Sequence, residues 1–266
     1  MEFLALLLTA LLLTGCGDTP AAGELPDAVS DAISSPVVSA PVPVPAPEPE
    51  PEPEPAPGEL AGMVICLDPG HGITSASKKE AVSPLSGETK AAYVSGTSGK
   101  RITEEALNLQ VARRLRDKLE SMGAAVILTR ETNEATVSNI ERAQIANDAG
   151  ADVCVRIHAD GIENPSVHGV SVLIPSGSLL GTPSIEQPSA ALGTLMVDAV
   201  AAQTGAKNRG TTARTDLTGF NWSEVPCVLL EMGFLTNAAE EADLIDPAYQ
   251  DKIAAGVAEA LVLWRK

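Results

Sequence analysis

The chain has 266 residues, of which 44 % are hydrophobic and 20 % charged, enough apolar material for one large folded domain. Asp and Glu number 35 against 18 Lys and Arg, and this net charge of −17 excludes a general nucleic-acid-binding protein, which needs a basic surface. Residues 1–60 contain ten acids, 12 of the 20 prolines and no Lys or Arg. The composition therefore predicts a polar leader followed by a globular domain at residues 61–266.

The N-terminus carries a short apolar run. Residues 3–13 would rise only ~16 Å as a helix, too short for the ~30 Å core of a bilayer, but this length suits an export signal. Leu13-Thr14-Gly15-Cys16 follows and resembles the lipobox of bacterial lipoproteins. The resemblance implies a signal peptide at residues 1–16, cleavage before Cys16, lipidation of its sulfur and an exported, membrane-anchored lipoprotein in the cell envelope. The alternative is a plain export signal with an incidental cysteine, and Met1-Glu2 lacks the positive charge that such signals usually carry.

Residues 17–60 have the composition of a spacer. The stretch is rich in Ala, Pro and Val and includes alternating Pro and Glu over residues 47–53. Proline denies the backbone its hydrogen-bond donors, and the like-charged glutamates repel one another. We expect a disordered, extended tether that holds the domain away from a membrane surface.

From residue 61 onward, strand-like and helix-like patterns alternate along the chain. In order, they predict a strand at 63–67, an unperiodic loop at 70–101, a helix at 104–122, a strand at 125–129, a helix at 138–149, strands at 152–157 and 169–174, a helix at 186–205, a polar loop to 224, a strand at 226–230, and helices at 238–245 and 248–264. This order predicts an α/β fold with a central, twisted, mostly parallel sheet of about six strands and helices on both faces.

Titratable side chains follow the ends of several predicted strands. His71 comes four residues after the first strand, while His158 and Glu231 directly follow the strands at 152–157 and 226–230; Glu104 begins the first helix. Because ligands gather at the carboxyl ends of strands in such sheets, we expect the four side chains to converge. Taken singly, each has a structural explanation: Glu104 could complement the helix dipole, and the histidines could be satisfied within loops.

Together these residue types indicate a metal-dependent hydrolase. Two imidazoles and one carboxylate form a common ligand set for catalytic Zn²⁺ with an open fourth position. A water at that position becomes a nucleophile, and the remaining carboxylate can take its proton and pass it to a leaving amine. His168, which precedes the strand at 169–174, would be the third ligand of an alternative three-histidine site.

Short blocks of the domain occur in the order typical of one enzyme family. They are residues 64–72 (VICLDPGHG), Glu104 with Asn108-Leu109, Thr129-Arg130, Glu141-Arg142-Ala143 with Ala146-Asn147, Ile157-His158-Ala159 and residues 230–237 (LEMGFLTN). Over about residues 63–264 the sequence resembles the zinc-dependent N-acetylmuramoyl-L-alanine amidases. The resemblance implies one Zn²⁺ held by His71, Glu104 and His158, with Glu231 as catalytic acid/base. It implies hydrolysis of the amide between the lactyl group of N-acetylmuramic acid and L-alanine.

Some positions depart from the family pattern. Arg156 and Asp160 stand where the family usually has Ser and Asn, and Glu105 is a neighbouring rival to Glu104 as ligand. Counting back four residues from Asn108 favours Glu104, and no family ligand corresponds to His168, which we expect on the surface. Asn108, Arg142 and Asp160 are predicted to support the ligands or face the substrate. The loop with Lys90 and residues 94–99 resembles a segment of clostridial-type amidases and is expected to face the substrate.

The sequence thus predicts a monomeric amidase whose partners are peptidoglycan and, through lipidated Cys16, a membrane. Two alternatives stay open: a zinc peptidase that cuts the stem peptide, and a non-catalytic lipoprotein that binds peptidoglycan. The other three cysteines, Cys66, Cys154 and Cys227, each lie in an apolar run and are expected in the core.

Overall fold

The computed structural model describes residues 58–266. The predicted signal peptide, Cys16 and nearly all of the predicted tether lie outside this range. The strands are β1 (Val64–Pro69), β2 (Lys79–Ala81), β3 (Thr89–Ala91), β4 (Ala125–Leu128), β5 (Val153–Asp160), β6 (Val170–Pro175), β7 (Asn208–Arg214) and β8 (Cys227–Phe234). The helices are α1 (Glu104–Ser121), α2 (Asn139–Asp148), α3 (Glu186–Thr204), α4 (Thr218–Asn221), α5 (Ala238–Leu244) and α6 (Pro247–Arg265).

A six-stranded sheet in the order β4-β1-β5-β8-β6-β7 forms the centre of the fold. Strands β4, β1, β5 and β8 are parallel, β6 is antiparallel to β8, and β7 is parallel to β6. Strands β2 and β3 form a separate hairpin. The predicted mostly parallel sheet of six strands with surrounding helices is therefore confirmed.

Alternating side chains of the sheet build a core on each face. One face packs Leu67, Val155 and Leu230 into a large apolar cluster with α1, α3 and α6. The other face carries a smaller cluster in which Cys66, Cys154 and Cys227 are register partners across β1, β5 and β8. All three thiols are buried and free, so the prediction that these cysteines lie in the core is confirmed.

Local sequence signals set several helix ends. Helix α2 begins with a capping box, in which the Ser138 hydroxyl accepts from Glu141 N and the Glu141 carboxylate accepts from Ser138 N. Helix α3 ends at Gly205, whose φ of 78° is left-handed and therefore suits glycine. Along α1, Leu107, Val111 and Leu115 recur at helical spacing and are buried, as the pattern predicted.

Three short or polar strands were not predicted. Strand β7 has the sequence NRGTTAR and mostly exposed side chains, so it lacks the apolar alternation that marks a strand. Strands β2 and β3 lie inside the predicted loop and have three residues each. Their hairpin is held from elsewhere in the chain, because Trp222 Nε1 donates to Ala81 O (3.0 Å) and Asn221 Nδ2 to Val82 O (3.1 Å). Contacts of this range leave no local sequence signal.

Across residues 58–266 no helix combines the length and the apolar character that a membrane crossing requires.

The crossing of α3 and α6 depends on a glycine. A Cβ on Gly256 would lie 2.6 Å from Val200 Cα, closer than atoms of a rigid backbone can come. In an exposed helix Gly→Ala stabilises by about 1 kcal/mol, but here we expect Gly256→Ala to destabilise by about 1–3 kcal/mol through overpacking. Urea unfolding of both proteins measures this difference.

The preceding residue provides the matched control for that variant. Ala255 is only half-buried on the same helix, so Ala255→Gly should cost about the propensity difference of 1 kcal/mol. A Gly256→Ala variant more stable than the wild type would show that the helices separate at no cost.

Candidate active site

His158 and Glu231 lie side by side in the sheet. They are register partners on the parallel strands β5 and β8, so their side chains leave the same face. Arg156 lies two residues before His158 and shares this face, which is also the face of the cysteine cluster. His158 and Glu231 therefore lie next to each other on neighbouring strands, as the sequence predicted.

His71 follows β1 in a strained loop. Its φ of 61° is the one positive value at a non-glycine residue between residues 58 and 266, and left-handed backbone is uncommon for such residues. Two buried arginines hold the loop: Arg142 Nη2 donates to His71 O (2.6 Å), and Arg130 Nη2 donates to Gly70 O (2.9 Å). His71 Nδ1 lies 2.7 Å from Val94 O, in the segment after β3. Hydrogen bonds therefore hold both the main chain and the imidazole ring of His71.

The structure brings His71, Glu104 and His158 together. Glu104 Oε1 lies 3.2 Å from His71 Nε2 and 3.0 Å from His158 Nδ1. One potential ligand atom from each residue falls within 4.8 Å of the other two. Tetrahedral zinc with ligands at ~2.0–2.1 Å separates its donors by roughly 3.3 Å, so the group is close to the size that such an ion requires.

The donor roles also fit a cation. Because His71 Nδ1 can donate to the Val94 carbonyl, Nε2 is left with its lone pair towards Glu104. The ring of His158 packs against Gly70, where its Nε2 is buried without a hydrogen-bond partner among the described residues, and its Nδ1 faces Glu104. Two imidazole nitrogens and one carboxylate oxygen thus point into one small space, the donor set that Zn²⁺ prefers.

Neighbouring groups hold Glu104 in place. Its Oε2 accepts from Thr97 N (2.8 Å), and Asn108 Nδ2 lies 3.4 Å from its Oε1 and 3.3 Å from Gly70 O. The predicted role of Asn108 beside the ligands is consistent with these contacts. Glu105, the rival ligand, lies outside the cluster and its carbonyl accepts from Arg130. His168 is exposed and outside the cluster, with Nδ1 3.0 Å from Ser166 O.

The protonation states of Glu104 and His158 favour cation binding. Burial raises the pKa of Glu104, but the hydrogen bonds and electrostatic attraction of His158 and His71 outweigh burial and hold the pKa well below its usual range. Burial lowers the pKa of His158 to about 4, so its imidazole is neutral at pH 7. Burial also lowers the pKa of His71, but Glu104 outweighs it and the net shift is upwards.

Glu231 has the opposite environment. Burial raises its pKa well above the usual range, and the negative charges of Asp160 and Glu104 raise it further. Its Oε2 is buried and has no partner in the described part of the chain. Asp160 accepts from Gly161 N (2.7 Å) and acts on Glu231 through its charge. A carboxyl group whose pKa is raised by its surroundings is suited to general acid/base work.

A buried carboxylate beneath the cluster was not predicted. Asp68 Oδ1 accepts from Thr129 Oγ1 (2.6 Å) and Arg142 Nη1 (2.6 Å), and Oδ2 accepts from Arg156 Nε (2.7 Å). Burial raises the pKa of Asp68, but the charges of Arg142 and Arg156 and the hydroxyl of Thr129 outweigh it, so the pKa lies far below its usual range. The sequence signal was an acid at the end of an apolar strand, which needs a buried partner.

Arg142 and Arg130 hold the backbone around the site through different sets of hydrogen bonds. Arg142 donates to Asp68, Pro69 O, Val137 O and His71 O, so it supports the His71 loop. Arg130 donates to the carbonyls of Pro69, Gly70, Glu105 and Thr132 and to the Asn133 amide oxygen, so it connects the end of β1 to the start of α1 and to the loop after β4.

Comparison with known proteins places this site in a family. Residues 65–262 match the family profile described as N-acetylmuramoyl-L-alanine amidase. The chain belongs to this family. Its members are hydrolases that act on amide bonds, and the resemblance found in the sequence blocks is thereby confirmed.

Individual relatives support the assignment. The chain is 30 % identical over 209 residues to the N-acetylmuramoyl-L-alanine amidase Rv3717 of Mycobacterium tuberculosis, covering 75 % of this chain and 86 % of that protein. It is 29 % identical over 203 residues to the amidase LytC of Bacillus subtilis, but the match spans 76 % of this chain and only 36 % of that relative. The crystal structure of the amidase Ami1 from Mycobacterium smegmatis shares the fold with a TM-score of 0.70 at 28 % identity, covering 77 % of this chain and 97 % of that one.

The Asp68 network should dominate local stability. Removing one member of a buried ion pair leaves an uncompensated charge, so we expect Asp68→Asn to destabilise by about 3–5 kcal/mol in urea unfolding at pH 7. Because the folded-state pKa lies below the unfolded value of 3.8, the stabilisation by Asp68 is present above about pH 4 and is lost as the pH falls further.

The exposed pair of Asp251 and Arg114 (2.8 Å) is the control. Asp251→Asn should change stability by less than about 1 kcal/mol. An Asp68→Asn protein that matches the wild type in stability at pH 7 would contradict the assigned role of the network.

Proposed function

We propose that the protein is a zinc-dependent cell-wall hydrolase. It cleaves the amide between the lactyl group of N-acetylmuramic acid and L-alanine of the stem peptide. The observation that carries this proposal is the cluster of His71, Glu104 and His158 beside the protonatable Glu231. The family membership supports the substrate, because the named relatives are N-acetylmuramoyl-L-alanine amidases.

His71, Glu104 and His158 would hold the metal. A bound Zn²⁺ would supply Lewis acidity and lower the pKa of a water in the open position. The chain prepares this site before any ion binds: Val94 O sets the tautomer of His71, and Thr97 N and Asn108 orient the carboxylate of Glu104. The low pKa of Glu104 keeps it negatively charged, which favours the cation.

Glu231 moves the proton in this mechanism. Its side chain leaves the same face of the sheet as the ligand His158, one strand away. As a carboxylate it takes the proton of the attacking water, and as an acid it delivers that proton to the nitrogen of L-alanine. The raised pKa suits this role, because it makes the carboxylate a stronger base towards the water than an ordinary glutamate, and the protonated form can then deliver the proton.

We also propose the cellular setting from the sequence. The domain would work outside the cytoplasm as a monomer, anchored through lipidated Cys16 and carried on the 17–60 tether. Peptidoglycan lies outside the cytoplasm, so an exported enzyme would meet its substrate there. Cys16 and nearly all of the tether lie outside the described range, so this cellular setting stays a prediction.

Zinc binding tests the ligand set directly. We expect His71→Ala, His158→Ala and Glu104→Gln each to weaken zinc affinity by at least about tenfold, because each removes one of three donors. Competition with a chromogenic chelator, monitored with the full chain, measures the affinity. Glu105→Gln is the matched control, since the neighbouring side chain lies outside the cluster, and it should bind zinc like the wild type. Equal losses at Glu104 and Glu105 would contradict the assignment.

Muropeptide analysis tests the reaction. Purified peptidoglycan digested by the zinc-loaded protein should yield free stem peptides that begin at L-alanine, together with peptide-free glycan, in mass spectra. Chelator should abolish both products, and Glu231→Gln should lower the rate by about 10²–10⁴-fold while zinc still binds.

The other outcomes identify the alternatives. Cuts inside the stem peptide would retain the metal site but make the protein a zinc peptidase. Binding to peptidoglycan without any product, from folded and zinc-loaded protein, would indicate a non-catalytic binder.

A further inference from the structure

A small cavity adjoins the candidate metal site on the side of the β2–β3 hairpin. It is lined by both histidines of the cluster, by the buried guanidiniums of Arg142 and Arg156, and by residues of the hairpin and of the loop before α2. The proposed mechanism leaves this space without a function.

The charged side chains that line the cavity itself are basic. Its lining includes two arginines and two histidines but no Asp or Glu, although the chain as a whole has a net charge of −17. Acids lie directly behind parts of this lining: Glu80 accepts from Asn139 Nδ2 and Ile140 N at the start of α2, and Glu104 contacts both histidines. Below the lining, Asp68 is the single carboxylate shared by Arg142 and Arg156. One positive charge therefore remains without a partner.

That remaining charge belongs to Arg156. All of the hydrogen-bonding nitrogens of Arg142 donate to protein oxygens. Arg156 donates from Nε to Asp68, whereas its Nη1 and Nη2 form no hydrogen bond within residues 58–266 and lie against the Cα of Gly219. The side chain is 6 % exposed, so its free donors are sheltered from bulk water. A guanidinium whose two Nη atoms are free can take an anionic oxygen as partner.

The cavity has the size of a carboxylate group. Its volume is about 40 Å³, and one water-sized group needs roughly 10–15 Å³, so about three heavy atoms fit. An arginine with two free N–H groups binds a carboxylate through two parallel hydrogen bonds. The cavity reaches both imidazoles, so its occupant would lie next to the reacting amide.

We propose that Arg156 binds a carboxylate of the acidic stem peptide in this cavity and so selects substrates by charge. The proposal rests on the proposed function, because the stem peptide is the substrate that brings a carboxylate close to the scissile bond. Arg156 thereby has two tasks: its Nε pairs with Asp68, and its Nη atoms hold the substrate. The amidated form of the same peptide lacks the anionic oxygen and leaves the guanidinium unpaired.

Binding of two stem peptides tests the proposal without any hydrolysis. The probe is the free tripeptide L-alanyl-γ-D-glutamyl-L-lysine, compared with the same tripeptide amidated at the α-carboxylate of its glutamyl residue. By calorimetry with the zinc-loaded full chain, we expect the acid to bind at least about tenfold more tightly than the amide. Arg156→Gln should reduce this ratio to about one, and Arg156→Lys should retain part of it.

Two further measurements make the test specific. Arg116→Gln removes a partly exposed charge on α1, outside the cavity lining, and should leave the ratio unchanged. Acetate at constant ionic strength should weaken binding of the acid but not of the amide to the wild type, a test that needs no variant to fold. A wild type that binds both peptides equally, or binds neither at millimolar concentration, would overturn the proposal, as would a ratio that Arg156→Gln preserves.

The outcome is separable from that of the proposed function. Hydrolysis of peptidoglycan at the lactyl amide without any charge preference would remove only the role of Arg156. Charge-selective binding that depends on Arg156, in a protein that cleaves nothing, would support the cavity and contradict the amidase reaction.

Discussion

The buried carboxylate of Asp68 is the constraint on which the candidate site depends. An ionised group without water is costly unless it is paired and hydrogen-bonded, and Asp68 satisfies this demand with Thr129 after β4, Arg142 of α2 and Arg156 of β5. These contacts fix three separate elements against β1. Arg142 then extends the network to the carbonyl of His71, whose backbone is strained. The position of the first candidate metal ligand is thus set by a charge that never touches the metal.

The pKa values of two glutamates of the site are shifted in opposite directions by their neighbours. Burial raises the pKa of both Glu104 and Glu231. At Glu104 the two imidazoles outweigh burial, whereas at Glu231 the charges of Asp160 and Glu104 add to it. The states are coupled, because the ionised Glu104 is one of the charges that keep Glu231 protonatable. One compact arrangement therefore provides both an anionic ligand and a proton carrier.

The strands and helices that bury apolar side chains could be predicted from the sequence. The elements that bury few apolar side chains could not. Apolar runs and helical spacing indicated the parallel strands and the long helices, and the strand ends indicated His158 and Glu231. Strand β7 was missed because its side chains are mostly exposed, and its place at the edge of the sheet comes from pairing with β6. The partners of Asp68 lie 61 to 88 residues away in the chain, so no local pattern reveals them.

Arg156 shows how a local excess of charge can oppose the charge of the whole protein. An acidic enzyme and an acidic peptide repel one another, but charges farther apart than about 8 Å are largely screened at physiological salt. At the site itself the nearest charged groups have the largest effect, and the cavity is lined by two guanidiniums and by no acid. Asp68 contacts both guanidiniums, but its single negative charge can balance only one of them. The unbalanced cation is therefore a consequence of the same network that positions His71, and substrate charge would be recognised by the element that builds the metal site.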